Sequence, residues 1–249
     1  MKQIKILIIA SLGFMFAMAV PAQADVREVF ACNYLAGKDM SDIRSARDFY
    51  LKQAKKSGIE VPEAFVWNLY KGTSNAEVLW FNNYENLISF GKSADENNAS
   101  PEMAAVNARF NSVVDCQSVL AQRETIFRGG EPLWSGEPKP SVMINSNACT
   151  INESFNRGDL KDLWEHVNGV LGGMDEYKNF LLFASTPIMT RQGGPQLYLY
   201  GISNSVMEWA SDSSALRSSE AGQGLMRHFQ KVLSCNNSIW MGERMVPAE

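Results

Sequence analysis

Histidine is scarce in this chain: His166 and His228 are the only two among 249 residues. Four cysteines, Cys32, Cys116, Cys149 and Cys235, include no Cys-x-x-Cys pair and none beside a histidine. The ligand spacing of zinc sites is therefore missing, and no metal is expected. A Gly-rich phosphate loop, a Gly-x-Ser-x-Gly elbow, a His-Glu-x-x-His helix and a calcium loop are also absent. Without them the sequence offers none of the motif-borne hydrolase chemistries. Basic charge is in short supply, with 23 Lys and Arg against 27 Asp and Glu and a formal net charge of −4. Nucleic acid and anionic membrane surfaces favour clustered Lys and Arg, so neither is an expected partner. The one basic cluster, Lys52 to Lys56, falls at a predicted helix end, where it suits the macrodipole. Beyond residue 24 no apolar run approaches the ~20 residues needed to span a bilayer.

What is present begins with an export signal. Lys2 and Lys5 precede an apolar stretch from Ile6 to Val20, and Ala22-Gln23-Ala24 forms a small-x-small cleavage site before Asp25. Residues 1–24 are read as a cleaved signal peptide, which implies a periplasmic or secreted protein with no membrane attachment after cleavage. Loss of Lys2 and Lys5 takes the net charge from −4 to −6. In such a compartment four cysteines read first as two disulfides.

The remainder echoes itself. Cys116-Gln-Ser-Val-Leu-Ala-Gln-Arg-Glu124 is matched 119 residues later by Cys235-Asn-Asn-Ser-Ile-Trp-Met-Gly-Glu243. That offset also carries Phe110 onto Phe229, Val113 onto Val232, Val106 onto Leu225 and Phe90 onto Trp209. Upstream an offset of 117 carries Cys32 onto Cys149, Asp42 onto Asp159 and Ile43 onto Leu160. The slip falls near Gly193 and Gly194. One module written twice is the simplest source of such a pattern.

Each copy reads as β-α-β-β-α-β. In the first, a strand from Asp25 to Asn33 leads to a helix capped by Ser41, whose apolar positions Ile43, Ala46, Phe49, Tyr50 and Ala54 keep helical spacing. Gly58 and Pro62 stop it. Ala64 to Tyr70 and Glu77 to Phe81 form a hairpin, a short helix follows from Asn86, and Pro101 opens another. The Cys116 strand closes the module. The second copy runs through a strand to Cys149, a helix from Asp159, strands at Phe180–Ala184 and Leu197–Ile202, and helical segments to Leu233. The expected fold class is α+β, with module 1 at 25–127, a Gly- and Pro-rich linker at 128–141 and module 2 at 142–249. The repeat pairs Cys32 with Cys116 and Cys149 with Cys235. Geometry agrees, because in this split βαβ order the first and fourth strands are antiparallel neighbours.

This element order and duplication resemble the dimeric α/β-barrel group of ferredoxin-like proteins, in which two such modules pack sheet against sheet. The resemblance covers nearly all of the chain beyond the signal. It implies small monooxygenases, isomerases or haem enzymes of the chlorite-dismutase kind as kin, so fold alone does not fix function. Haem would imply an axial ligand from a second-module helix, which here means His166 or His228, and an arginine over the open face. Phe180–Ala184 and Leu197–Ile202 contain no arginine, and Arg191 falls between them. No cofactor is expected.

Two further sets of residues carry possible chemistry. Glu124 and Glu243 occupy matching places on the fourth strands, beside Arg123 and Arg244, and paired carboxylates perform acid–base work when burial separates their pKa values. Trp67, Trp80, Tyr198 and Tyr200 load the middle strands with aromatic surface that suits an apolar cleft between the sheets. The leading expectation is an exported, disulfide-stabilised protein that binds a small apolar molecule there. The alternative is an enzyme of the same architecture, either a cofactor-free oxygenase or isomerase, or a haem protein.

Overall fold

The computed structural model describes residues 25–130, 141–188 and 194–246. The expected signal peptide, most of the linker and the hairpin segment holding Arg191 and Gly193 lie outside the described residues. Eight strands make up the sheet: β1 (Val26–Tyr34), β2 (Glu63–Gly72), β3 (Val78–Tyr84), β4 (Val114–Arg128), β5 (Val142–Ile151), β6 (Leu181–Pro187), β7 (Leu197–Ser203) and β8 (Leu233–Val246). The helices are α1 (Met40–Ser57), α2 (Leu87–Ala99), α3 (Pro101–Asn111), α4 (Asp159–Leu171), α5 (Val206–Ser218) and α6 (Glu220–Val232).

The strands close into one barrel in the order β1-β3-β2-β8-β5-β7-β6-β4, with every neighbouring pair antiparallel. The fold is therefore mixed α+β, a barrel with helices on its outside. Strands β4-β1-β3-β2 come from the N-terminal half and β8-β5-β7-β6 from the C-terminal half. The two groups join through β2–β8 and β4–β6, and both joints carry a register shift. Such irregularities bend and twist a strand, which a closing sheet requires.

Side-chain alternation then decides what lies inside. Val29, Phe65, Phe81, Phe183, Tyr200 and Trp240 interlock within the barrel. Trp240 is 2% exposed, and its indole N–H donates to the Ser146 hydroxyl at 2.8 Å. Gly242 faces the same interior, where a Cβ would overlap Ile144 and Trp67. Gly242→Val should therefore cost about 1–3 kcal/mol, read as a lower urea midpoint with an unchanged m-value.

On the outer face, Ile43 of α1 packs with Val66, Val78 and Val113 beneath it. Leu163 and Val167 of α4 pack with Leu225 of α6 over the other half. Helix α1 begins one residue before the expected Ser41 cap. Asp39 takes that role: its carboxylate accepts the Ser41 N–H at 2.7 Å, and the Asp42 side chain accepts the Asp39 N–H at 3.2 Å. Gly58 ends the helix in the left-handed region at φ 67°, as its composition suggested. The cysteines pair as the repeat required. Cys32 and Cys116 are register partners on β1 and β4, and Cys149 and Cys235 on β5 and β8, with both pairs joined as disulfides.

Candidate active site between the second-half sheet and its helices

The corner between α5 and α6 sets up the site. Ser205 caps α5 by accepting the Glu208 N–H at 3.1 Å, and the Glu208 carboxylate accepts the Asn204 N–H at 3.1 Å in return. Ser219 caps α6 through the Gly222 N–H at 3.0 Å. Gly222 is buried so closely against the Leu216 carbonyl that no Cβ fits there. This tight turn aims Asp212 from α5 and Leu225 and Phe229 from α6 at the same space. The outer face of the sheet supplies Asn145 and Leu182 below, and Tyr177 and Phe180 close one side. The result is a cavity of about 220 Å³. It is smaller than the ~300–1,000 Å³ usual for drug-sized ligands, which restricts any occupant to a small molecule.

Asp212 is the chemical centre of this cavity. It is 7% exposed and, among the described residues, the one buried acidic side chain. Burial pushes its carboxyl up to about 6; Glu208 and Glu176 add to the shift, and the nearby Ser203 hydroxyl works against it. The backbone beneath it is pinned, because the Tyr177 hydroxyl donates to the Asp212 carbonyl at 3.0 Å. Burial likewise raises the Tyr177 phenol. A carboxyl that titrates near neutrality in an apolar pocket suits taking a proton from carbon and returning it.

The first half places Glu28 at the comparable position, four residues ahead of Cys32 as Asn145 is four ahead of Cys149. Burial raises the Glu28 carboxyl, while bonds from Asn82 and Tyr84 lower it. Glu28 is only half-buried.

The two histidines meet each other instead of the cavity. His166 on α4 and His228 on α6 stand with their Nδ1 atoms 3.0 Å apart, and neither lines the cavity. Haem needs an imidazole nitrogen aimed at iron and room for a porphyrin. The residues here supply neither, so haem does not fit this site. Among the described residues no group of three His, Cys, Asp or Glu is placed to hold a metal.

Glu124 and Glu243 do not form a pair. Strands β4 and β8 lie on opposite sides of the barrel, and both glutamates alternate outward while their neighbours Arg123 and Arg244 turn inward. Glu124 is exposed, and Glu243 is bound by Arg44 of α1 at 2.6 Å. The aromatic group also divides. Trp67, Tyr198 and Tyr200 meet inside the barrel, with the Trp67 and Tyr200 rings 5.0 Å apart. Trp80 has the opposite parity on β3 and packs under α3 against Phe110 at 5.3 Å.

Sequence reasoning missed Asp212, Tyr177 and the α5–α6 corner. The available signal was the Ser205-x-x-Glu208 capping box, which starts a helix and so sets which face Asp212 occupies.

No protein-family model and no curated protein sequence matches the chain. Solved structures do resemble it. A provisionally assigned monooxygenase from Fusobacterium nucleatum aligns with a TM-score of 0.57 at 9% identity, over 91% of this chain and 97% of that one. An anthrone oxidase-like protein aligns at 0.52 and 10% identity, over 90% and 94%. A point variant of the chlorite dismutase from Candidatus Nitrospira defluvii aligns at 0.51 and 10% identity, over 89% and 92%. These likenesses are of fold alone: a mixed α+β architecture built on an eight-stranded barrel, as in dimeric α/β-barrel proteins.

Proposed function

We propose that this protein is a cofactor-free enzyme of the dimeric α/β-barrel type, acting on a small apolar carbon acid held against Asp212. The observation that carries the reading is the one buried carboxyl among the described residues, raised to about 6, in a cavity otherwise lined mainly by aromatic and aliphatic side chains. Asp212 removes a proton from an activated C–H, and the resulting carbanion isomerises or reacts with dioxygen. For a methylene flanked by aromatic rings the oxygenase reaction balances as one O2 consumed, one C=O formed and one water released. The anthrone oxidase-like neighbour makes anthrone a rational probe.

The same reading takes the two halves as ferredoxin-like modules descended from one ancestor, and places the protein in the periplasm or outside the cell. Two disulfides fit an oxidising compartment. Among the described residues no helix is long and apolar enough to cross a membrane.

The decisive experiment is oxygen uptake with anthrone and no added cofactor, alongside quenching of emission from Trp209, which lines the cavity, taken as the difference from Trp209→Phe. Uptake together with quenching is the expected result. Quenching without uptake leaves a carrier of small apolar molecules, and neither signal removes the cavity as a site.

A further inference from the structure

The inside of the barrel, across the sheet from this cavity, holds an unbalanced charge. Arg27 on β1 follows the interior alternation with Val29 and is 3% exposed, with its guanidinium carbon 5.0 Å from the centre of the Phe81 ring and 4.6 Å from that of Phe183. Its Nε donates to Asn83 at 2.7 Å, and its Nη1 is buried without a hydrogen-bond partner. Among the described residues no carboxylate forms a salt bridge with it.

Arg123 lies 5.0 Å from the same Phe183 ring, so one aromatic ring serves both guanidinium groups. Its Nη1 reaches Asp25 at 3.4 Å, while its Nε is buried and unbonded. Ser185 is the register partner of Arg123 across β4–β6; it is fully buried, and its hydroxyl also lacks a partner. The third arginine, Arg244, is held by Glu63 at 2.7 Å, and Glu63 also accepts from Asn83 at 2.9 Å. Three arginines therefore face two carboxylates, Asp25 and Glu63. Burial and the nearby Arg123 charge drag the Arg27 guanidinium down to about 9. Aromatic faces relieve part of this cost. A water would satisfy an N–H, but only an anion also neutralises the charge.

We propose that this part of the barrel interior is an oxyanion site, where Arg27 Nη1, Arg123 Nε and the Ser185 hydroxyl hold a small carboxylate or phosphate. Arginine forks match the planar or tetrahedral oxygens of both anions. Arg123, Arg244 and Glu63 keep 15%, 17% and 23% of their side-chain surface, so the site opens to solvent past them. The site is independent of Asp212, which lies on the outer face of the other half.

The test is thermal unfolding of the disulfide-intact protein at fixed ionic strength, with chloride replaced by inorganic phosphate or by acetate. An anion that binds only the native state raises Tm with concentration, by about 5–10 °C at a hundred times Kd. A rise in phosphate identifies a phosphate-type ligand, and a rise in acetate a carboxylate. Either rise should vanish in Arg27→Gln and fall sharply in Arg123→Gln. Should Arg27→Gln fail to fold, the partly exposed Arg123 and the small change Ser185→Ala keep the question open to measurement. Equal melting in all three salts, or an undiminished response in Arg123→Gln and Ser185→Ala, overturns the proposal.

Discussion

Removing either disulfide by a double Cys→Ala substitution is expected to lower Tm by about 10–20 °C. The bridges close segments of 84 and 86 residues. In the chain-entropy account each such cross-link withholds roughly 4–5 kcal/mol of freedom from the unfolded chain. The native state gains little beyond that, because both cysteine pairs are already neighbours in the strand register. Cys32 and Cys149 are 2% and 0% exposed, so alanines there also leave a small unfilled volume in packed clusters. Scanning calorimetry of the two double variants measures each loss separately. Losses of only a few degrees would mean that the unfolded chain is already compact enough to need no tether.

Asp212→Asn is expected to lower turnover by about 10²–10⁴-fold, the usual contribution of a positioned acid–base group. Amide and carboxyl have nearly the same shape, so the cavity and the Tyr177 contact to the backbone carbonyl survive. Turnover in the unsubstituted protein should rise with pH through about 6, as the carboxyl becomes the base. Stability should move the other way. The native carboxyl titrates near 6 and the unfolded one near 3.8, so between those values the folded state holds a proton that the unfolded chain has released. That stabilisation is complete below pH 3.8 and is lost as pH rises toward 6. Urea unfolding across pH 4–7 should show this falling slope, and Asp212→Asn should flatten it. A slope unchanged by the substitution would remove Asp212 from the role.

Much of the architecture could be read from the chain because strands and bridges leave short-range marks. Val78 to Phe81 and Leu197 to Ile202 are apolar runs too short for helices, and the cysteine echo defined the pairing. Helix starts were harder, since Asp39 and Ser41 are both capping residues and only the returned contact from Asp42 separates them. The site was the least legible part. Helix α5 reads Val-Met-Glu-Trp-Ala-Ser-Asp-Ser-Ser, with weak amphipathic spacing, so nothing local marks Asp212 as buried. Arg27 stands between Val26 and Glu28 on a strand whose two faces are both largely apolar, and alternation cannot say which face looks inward. Only the curvature of the closed sheet decides. The histidines posed the reverse problem: each lies at the edge of an apolar stripe, and the wheel does not show that one edge meets the other across α4 and α6.

The self-completed ring of strands has a further consequence. Because β2 joins β8 and β4 joins β6 along one polymer, the two halves face each other at an effective concentration that dilution cannot reduce. Main-chain donors that an open sheet would offer to strangers are consumed at home. Such a molecule can be thinned to traces and still keep both halves of its barrel in place.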